Sequence, residues 1–133
     1  MRITTLAILL AAFACACESD QAYQQRHQKL SAQGREWLLA KYPPGQTTRA
    51  EIRKRLGARP EVAATQPAGG WDARAAPWLR DVVSQSEART GKSVFYVDIY
   101  FGPVGDRMIP GFLQFFFDDD GRIIDADFDP HSI

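Results

Sequence analysis

Toward the C-terminal end of the chain, apolar and polar positions repeat every second residue, whereas nearer the start they repeat with a helical period. From Phe112 to Phe128, FLQFFFDDDGRIIDADF, two apolar runs flank Asp120-Gly121. Asp-Gly between such runs signals a hairpin with a two-residue type I′ turn, because both central residues need positive φ and Gly adopts it freely. The register follows from the turn. Phe117 faces Ile124, Phe115 faces Ala126 and Leu113 faces Phe128, all apolar pairs. The alternate set pairs Asp118 with Ile123, Phe116 with Asp125, Gln114 with Asp127 and Phe112 with Asp129, each with a polar member.

A third strand, Ser93 to Phe101, alternates Phe95, Val97, Ile99 and Phe101 with Tyr96, Asp98 and Tyr100. Gly102-Pro103 and Gly105-Asp106 lead from it into the hairpin, and Pro110-Gly111 suggests an edge position or a bulge. Upstream, Ser19 to Lys41 favours helix, with Tyr23, Leu30 and Trp37 seven apart and Leu38 and Tyr42 widening the stripe. Pro43-Pro44-Gly45 stops it. Thr48-Arg49-Ala50-Glu51 is a capping box that opens a short helix with Ile52 and Leu56 on its buried face, while Arg53, Lys54 and Arg55 leave the core. Gly57 and Pro60 close that helix. Glu61 to Ala76 reads as a loop anchored by Trp71, and Pro77 opens a third helix that runs to Gly91 with Trp78, Leu79, Val82 and Val83 on one side.

These elements predict an α+β fold, two or three helices packed on one face of a three-stranded antiparallel meander sheet. The core face would hold Phe95, Val97, Ile99 and Phe101 with Leu113, Phe115, Phe117, Ile124, Ala126 and Phe128. The opposite face would then present Tyr96, Tyr100, Phe112 and Phe116 among polar residues, an aromatic patch of the kind that marks a partner-binding surface. Coverage of that face by the N-terminal helix or the Trp71–Trp78 segment is the competing expectation.

The N-terminus changes the picture. Arg2 followed by Ile3 to Phe13 has the charge and apolar run of a secretory leader, and eleven residues are too few to span a bilayer, which takes about twenty. Ala12-Phe13-Ala14-Cys15-Ala16-Cys17 resembles a bacterial lipobox. Small residues precede Cys17, whereas Phe13 stands before Cys15, so Cys17 is the expected lipidation site; cleavage after Ala14 or Ala16 to a soluble periplasmic product is the alternative. Cys15 and Cys17 are the only cysteines, so the domain beyond them has no disulfide and relies on its core. The expected organisation is a signal peptide at 1–16, an N-terminal helix at 17–42 and an α+β domain at 43–133.

In its pieces the chain resembles the SmpA/OmlA, or BamE-like, family of small outer-membrane lipoproteins. The resemblance is carried by Thr48-Arg49-Ala50-Glu51-Ile52 running to Leu56-Gly57 and Pro60, by the aromatic strand Val94 to Phe101, and by the closing FFFDDDGRIIDADF. It implies two helices on a three-stranded antiparallel sheet, a lipid tether to the outer membrane and a place in outer-membrane protein assembly. It also implies a likeness to β-lactamase inhibitory proteins. The long helix before Gly45 and the length of Glu61 to Lys92 depart from the family pattern.

Charge and candidate chemistry narrow the function classes. Lys and Arg balance Asp and Glu at 16 each, which argues against nucleic acid as the main partner. Locally, Arg26 to Arg59 holds nine basic residues against Glu36 and Glu51, and Asp118 to Asp129 holds six aspartates against Arg122. The aspartates lack the spacing and the terminal Glu of an EF-hand and are expected to serve the turn. His27 and His131, the only histidines, do not make a zinc set by themselves. Without an activated nucleophile or base, no catalytic residue, metal or cofactor is expected. The sequence therefore points to a lipid-anchored binding or scaffold module with a protein partner in the cell envelope. A soluble inhibitor or ligand-binding protein that inserts its 61–92 segment into a cleft is the alternative.

Overall fold

The computed structural model describes residues 19–131; the predicted leader, Cys15 and the predicted lipidation site Cys17 lie outside them. Helix α1 spans Asp20–Lys41 and α2 Arg49–Leu56, followed by strand β1 (Val62–Thr65), the short helix α3 (Trp71–Arg74) and helix α4 (Pro77–Thr90). Strands β2 (Tyr96–Val104), β3 (Ile109–Phe117) and β4 (Ile123–Pro130) follow. The four strands form one antiparallel sheet in the order β1-β2-β3-β4. The α+β class and meander order are those expected, but the sheet has a fourth strand and helices cover both of its faces.

Beneath α1 and α2, Leu38, Tyr42 and Ile52 pack on Tyr100, Leu113, Phe115, Phe117, Ile123, Ala126 and Phe128. On the opposite face, Trp71, Leu79 and Val83 pack on Val97, Ile99, Phe116 and Ile124. Burial on both faces explains why β3 is almost continuously apolar. Strand β1 hydrogen-bonds along β2, with Val62 opposite Ile99 and Thr65 opposite Tyr96. Its small residues between Pro60 and Pro67 gave it the look of a loop, and the pairing with β2 supplies what its own propensity lacks.

Helix ends obey the local signals. Ser19 and Thr48 cap α1 and α2, their hydroxyls accepting from Ala22 N and Glu51 N. Gly91 ends α4 in the left-handed region at φ 69. Two packing expectations fail. Leu56 and Trp78 are exposed, and Arg53 turns inward to a buried carboxylate instead of leaving the core.

The hairpin departs from prediction twice, and the departures cancel. Asp118 N donates to Arg122 O and Gly121 N to Asp118 O, at 2.9 and 3.1 Å, so the loop has three residues, with Gly121 in the left-handed region at φ 76. A bulge then follows. Phe117 lies opposite Ile123, Phe116 opposite Asp125, and Ile124 is the extra residue. Beyond the bulge the register is that expected, from Phe116–Asp125 through Phe112–Asp129. Ile123 and Ile124 consequently point into different cores.

Pro110 sits in a central strand, which was not expected. It lies near the strand end opposite Pro103, so the two residues that lack amides face each other and no ladder donor is stranded.

Candidate functional site

The aromatic surface expected from the sequence does not form. Tyr96 and Tyr100 share a face with Phe115, under α2, whereas Phe112 and Phe116 are on the face that α4 partly covers. Tyr100 and Phe116 are buried, Tyr96 is half-buried, and only Phe112 is exposed. The physical reason is Asp98. Period-two reasoning assigned the Tyr96-Asp98-Tyr100 side to solvent because it carries a charge, but arginines from α2 neutralise that charge inside the core.

Asp98 is fully buried and opposite Phe115 on β3. Arg49 and Arg53, one turn apart on α2, each grip its carboxylate through two nitrogens. Arg49 Nε and Nη2 donate at 2.9 and 2.7 Å, and Arg53 Nε and Nη2 both donate at 3.0 Å. Burial opposes ionisation of Asp98, but the hydrogen bonds from both arginines outweigh it and hold the carboxyl below its ordinary value of 3.8. Two guanidiniums on one carboxylate leave the cluster with a net positive charge. Arg49 also lies over the Tyr96 ring at 4.4 Å, a cation–π arrangement that fixes its plane. Tyr100, whose hydroxyl donates to Gly57 O at 2.7 Å, is held above its ordinary value by burial and by the charge of Asp98.

Above this cluster is a shallow depression of about 380 Å³, bounded by Thr48, Arg49, Ala50, Arg53, Tyr96 and the hairpin loop Asp119 to Gly121. The chain between α1 and α2 closes it from the side. Gly45 N donates to Ile123 O, Ile123 N to Thr47 O and Arg49 N to Gly121 O. The carboxylates of Asp118, Asp119 and Asp120 gather here, and that of Asp118 accepts the amides of Asp120 and Arg122. That is the turn role expected of the run.

A second buried carboxylate ties the other helices to the sheet. Asp125 on β4 accepts from Ser86 at 2.8 Å, from Arg35 of α1 at 3.1 Å and from Arg89 of α4. Asp127, on the same face, lies 3.8 Å from Arg89 Nη1. Burial raises the Asp127 carboxyl above its ordinary value and outweighs both its bond from Phe128 N and the pull of Arg89.

At the far end of the sheet, His27 and His131 line one groove of about 330 Å³ with Tyr23, Leu30, Ile109 and Pro130. His27 pairs with Asp129 at 3.1 Å. His131 abuts Phe101, which packs on Phe112.

The Asp98 cluster was missed by sequence reasoning, although a signal existed. An aspartate inside an apolar strand, with arginines at i and i+4 on a short helix that buries only Ile52, is the pattern of a buried ion pair. No family model matches the chain, and no curated protein or solved structure matches it.

Proposed function

We propose that the chain is a lipid-anchored binding or scaffold module of the cell envelope, acylated at Cys17, that holds a protein partner at the Arg49–Arg53–Tyr96 end of the sheet. The observation that carries this reading is the fixed Arg-on-Tyr surface beside the depression. Arg and Tyr are enriched where interfaces concentrate their energy. Here Asp98 and Tyr96 immobilise the guanidiniums before any partner arrives, which lowers the entropy lost on docking. Acidic loop residues beside the arginines offer both charge signs, which favours one docking orientation over others.

Lipidation at Cys17 would leave this end free for a partner. Helix α1 begins near Cys17 at the opposite end of β4, beside Asp129 and His131, whereas the depression adjoins the first residues of β4. The capped helix and closing hairpin that resemble the SmpA/OmlA family support the outer membrane as the anchoring site and its protein assembly as the setting. The inhibitor-like alternative is less well supported, because the 61–92 segment is committed to the sheet through Trp71, Leu79 and Val83.

Two experiments test the proposal together. Palmitate labelling of the cells is expected to mark the protein and to be lost on Cys17→Ser. In-cell crosslinking is expected to capture an envelope protein from wild type and to lose it on Ala50→Glu, an exposed position in the depression. Undiminished capture by a folded Ala50→Glu variant would remove the depression from the reading, and persistent labelling of Cys17→Ser would remove the anchor.

A further inference from the structure

Among the described residues, three of the five exposed large apolar side chains lie at the end of the sheet that carries the start of α1. Phe101 is 50% exposed, Phe112 37% and Met108 64%. Phe101 and Phe112 are cross-strand partners with ring centroids 5.3 Å apart, on the face that α4 covers only as far as Val97, Ile99 and Phe116. The patch does not stop there. The His131 ring meets Phe101 edge-on at 5.8 Å, and His131 continues into the groove where Tyr23 and Leu30 of α1 face Ile109 and Pro130. Met108 lies at the tip of the β2–β3 turn, next to Ile109 in the chain. An apolar surface therefore wraps this end of the domain, from the open sheet face around to α1.

The length of chain before α1 says what covers it. Only Glu18 and Ser19 separate Cys17 from Asp20, the first residue of the helix, and three residue steps reach about 10 Å. A lipid on Cys17 would hold the start of α1 within that distance of the bilayer surface, and the 22 residues of the helix span about 33 Å. The apolar end is therefore the part of the domain that the tether brings to the membrane, and the carboxylates of Asp118 to Asp120, at the opposite end of β4, are free to stand away from it. Charge does not select the occupant, since Arg26 and Arg107 are matched at this end by Asp106 and Asp129. Apolar and aromatic character does. Aromatic side chains with a polar neighbour settle at the boundary between headgroups and acyl chains.

We infer that the Phe101–Phe112–Met108 end of the domain rests on the lipid bilayer and inserts its apolar side chains into the interface. The inference depends on the anchor at Cys17. A patch of this size holds a bilayer weakly alone, but a short tether raises its effective concentration to the millimolar range. The contact converts a swivelling attachment into a fixed orientation, with the Arg49–Tyr96 depression turned outward.

Dye labelling tests this directly, because the chain has no cysteine beyond position 17. The processed full chain carrying Met108→Cys, and separately Asp119→Cys as the distant reference, would be labelled with an environment-sensitive dye. Each would then be reconstituted into phosphatidylcholine vesicles that contain spin-labelled lipid. The dye at 108 is expected to lose its emission to the lipid-borne quencher and the dye at 119 to keep it, with quenching at 108 relieved when Phe101→Ser and Phe112→Ser are added. Protein that floats with vesicles yet shows equal, weak quenching at both positions overturns the inference and leaves the anchor standing. Quenching at 108 is expected to be lost with Cys17→Ser; quenching that persists there shows a membrane contact that does not use the tether and overturns the inference as argued. If dye at 108 is instead shielded without vesicles, in proportion to protein concentration, a second copy covers the patch and the inference fails.

Discussion

Phe128 of β4 fills the space that a side chain on Gly34 would occupy. A Cβ built on Gly34 would lie 2.5 Å from Phe128 Cγ and 2.6 Å from its Cβ, and one on Gly111 would lie 2.6 Å from its Cζ. The ring is thus clasped between a helix and the neighbouring strand at two positions where no larger residue fits. Ser31 adds a hydrogen bond of 2.6 Å to the Phe128 carbonyl, so α1 lies directly against the edge of β4. Gly34→Ala would gain about 1 kcal/mol of helix propensity. Overpacking against a ring 1% exposed costs about 1–3 kcal/mol, because the clash is with the root of the side chain rather than its tip. The expected result is a lower thermal midpoint for Gly34→Ala, whereas Ala32→Gly on the exposed side of the same helix loses only the propensity.

Asp98→Asn removes the charge that two arginines share. Breaking a buried pair while its partners remain costs about 3 kcal/mol, so urea unfolding is expected to show a large fall in midpoint. Replacing Asp98, Arg49 and Arg53 together by apolar residues of similar volume should recover most of it. The pH dependence has a definite sign. The folded carboxyl titrates below its ordinary value of 3.8, so its contribution is complete above that value and is lost as pH falls through the folded value. Stability profiles of wild type and Asp98→Asn are therefore expected to converge in acid.

Asp127 works in the opposite direction. Its folded carboxyl titrates above the ordinary value of 3.8, so the folded protein binds the proton more tightly and loses stability as pH rises from the ordinary value through the raised one. Asp127→Asn, which retains an oxygen to accept from Phe128 N, is expected to be more stable than wild type at neutral pH and to lose that advantage below pH 3.8. Thermal midpoints across the acid range measure the crossover.

Gly121 is required for its conformation rather than for space. It sits at φ 76, and an added Cβ would meet only Arg49 Cβ, at 4.0 Å. Gly121→Ala is expected to cost about 1–2 kcal/mol, the penalty of the left-handed region for an L side chain. Gly121→Asn should cost less and Gly121→Val more, and chemical denaturation of the three variants gives the order.

What could be read from the sequence was local. The caps at Thr48 and Gly91, the Trp71 anchor and the pairing from Phe112 to Phe116 each follow from chemistry within a few residues. The turn size did not, since Asp118, Asp119 and Asp120 all suit turns and the added loop residue is offset by the bulge at Ile124. The face of β2 was misassigned for a long-range reason. Asp98 inside an apolar strand signals a buried charge, but its own neighbours in sequence do not say that Arg49 and Arg53, some 45 to 49 residues away, will be its partners. Strand β1 was hidden by its small residues, whose pairing is dictated by β2. The split of Tyr96 and Tyr100 from Phe112 and Phe116 follows from the same misassignment, and the predicted patch dissolved with it.

The contact between α1 and β4 joins residues about a hundred positions apart, as in the pair His27 and Asp129. Most of the sheet surface that the first helix lies on is supplied by the last strand. Local hairpins of the meander can form early, but the chain cannot close until its C-terminal residues arrive. A ribosome or a secretion channel that releases the chain from its N-terminus therefore handles an open polypeptide until β4 has emerged, and that late clasp joins the first helix to the sheet.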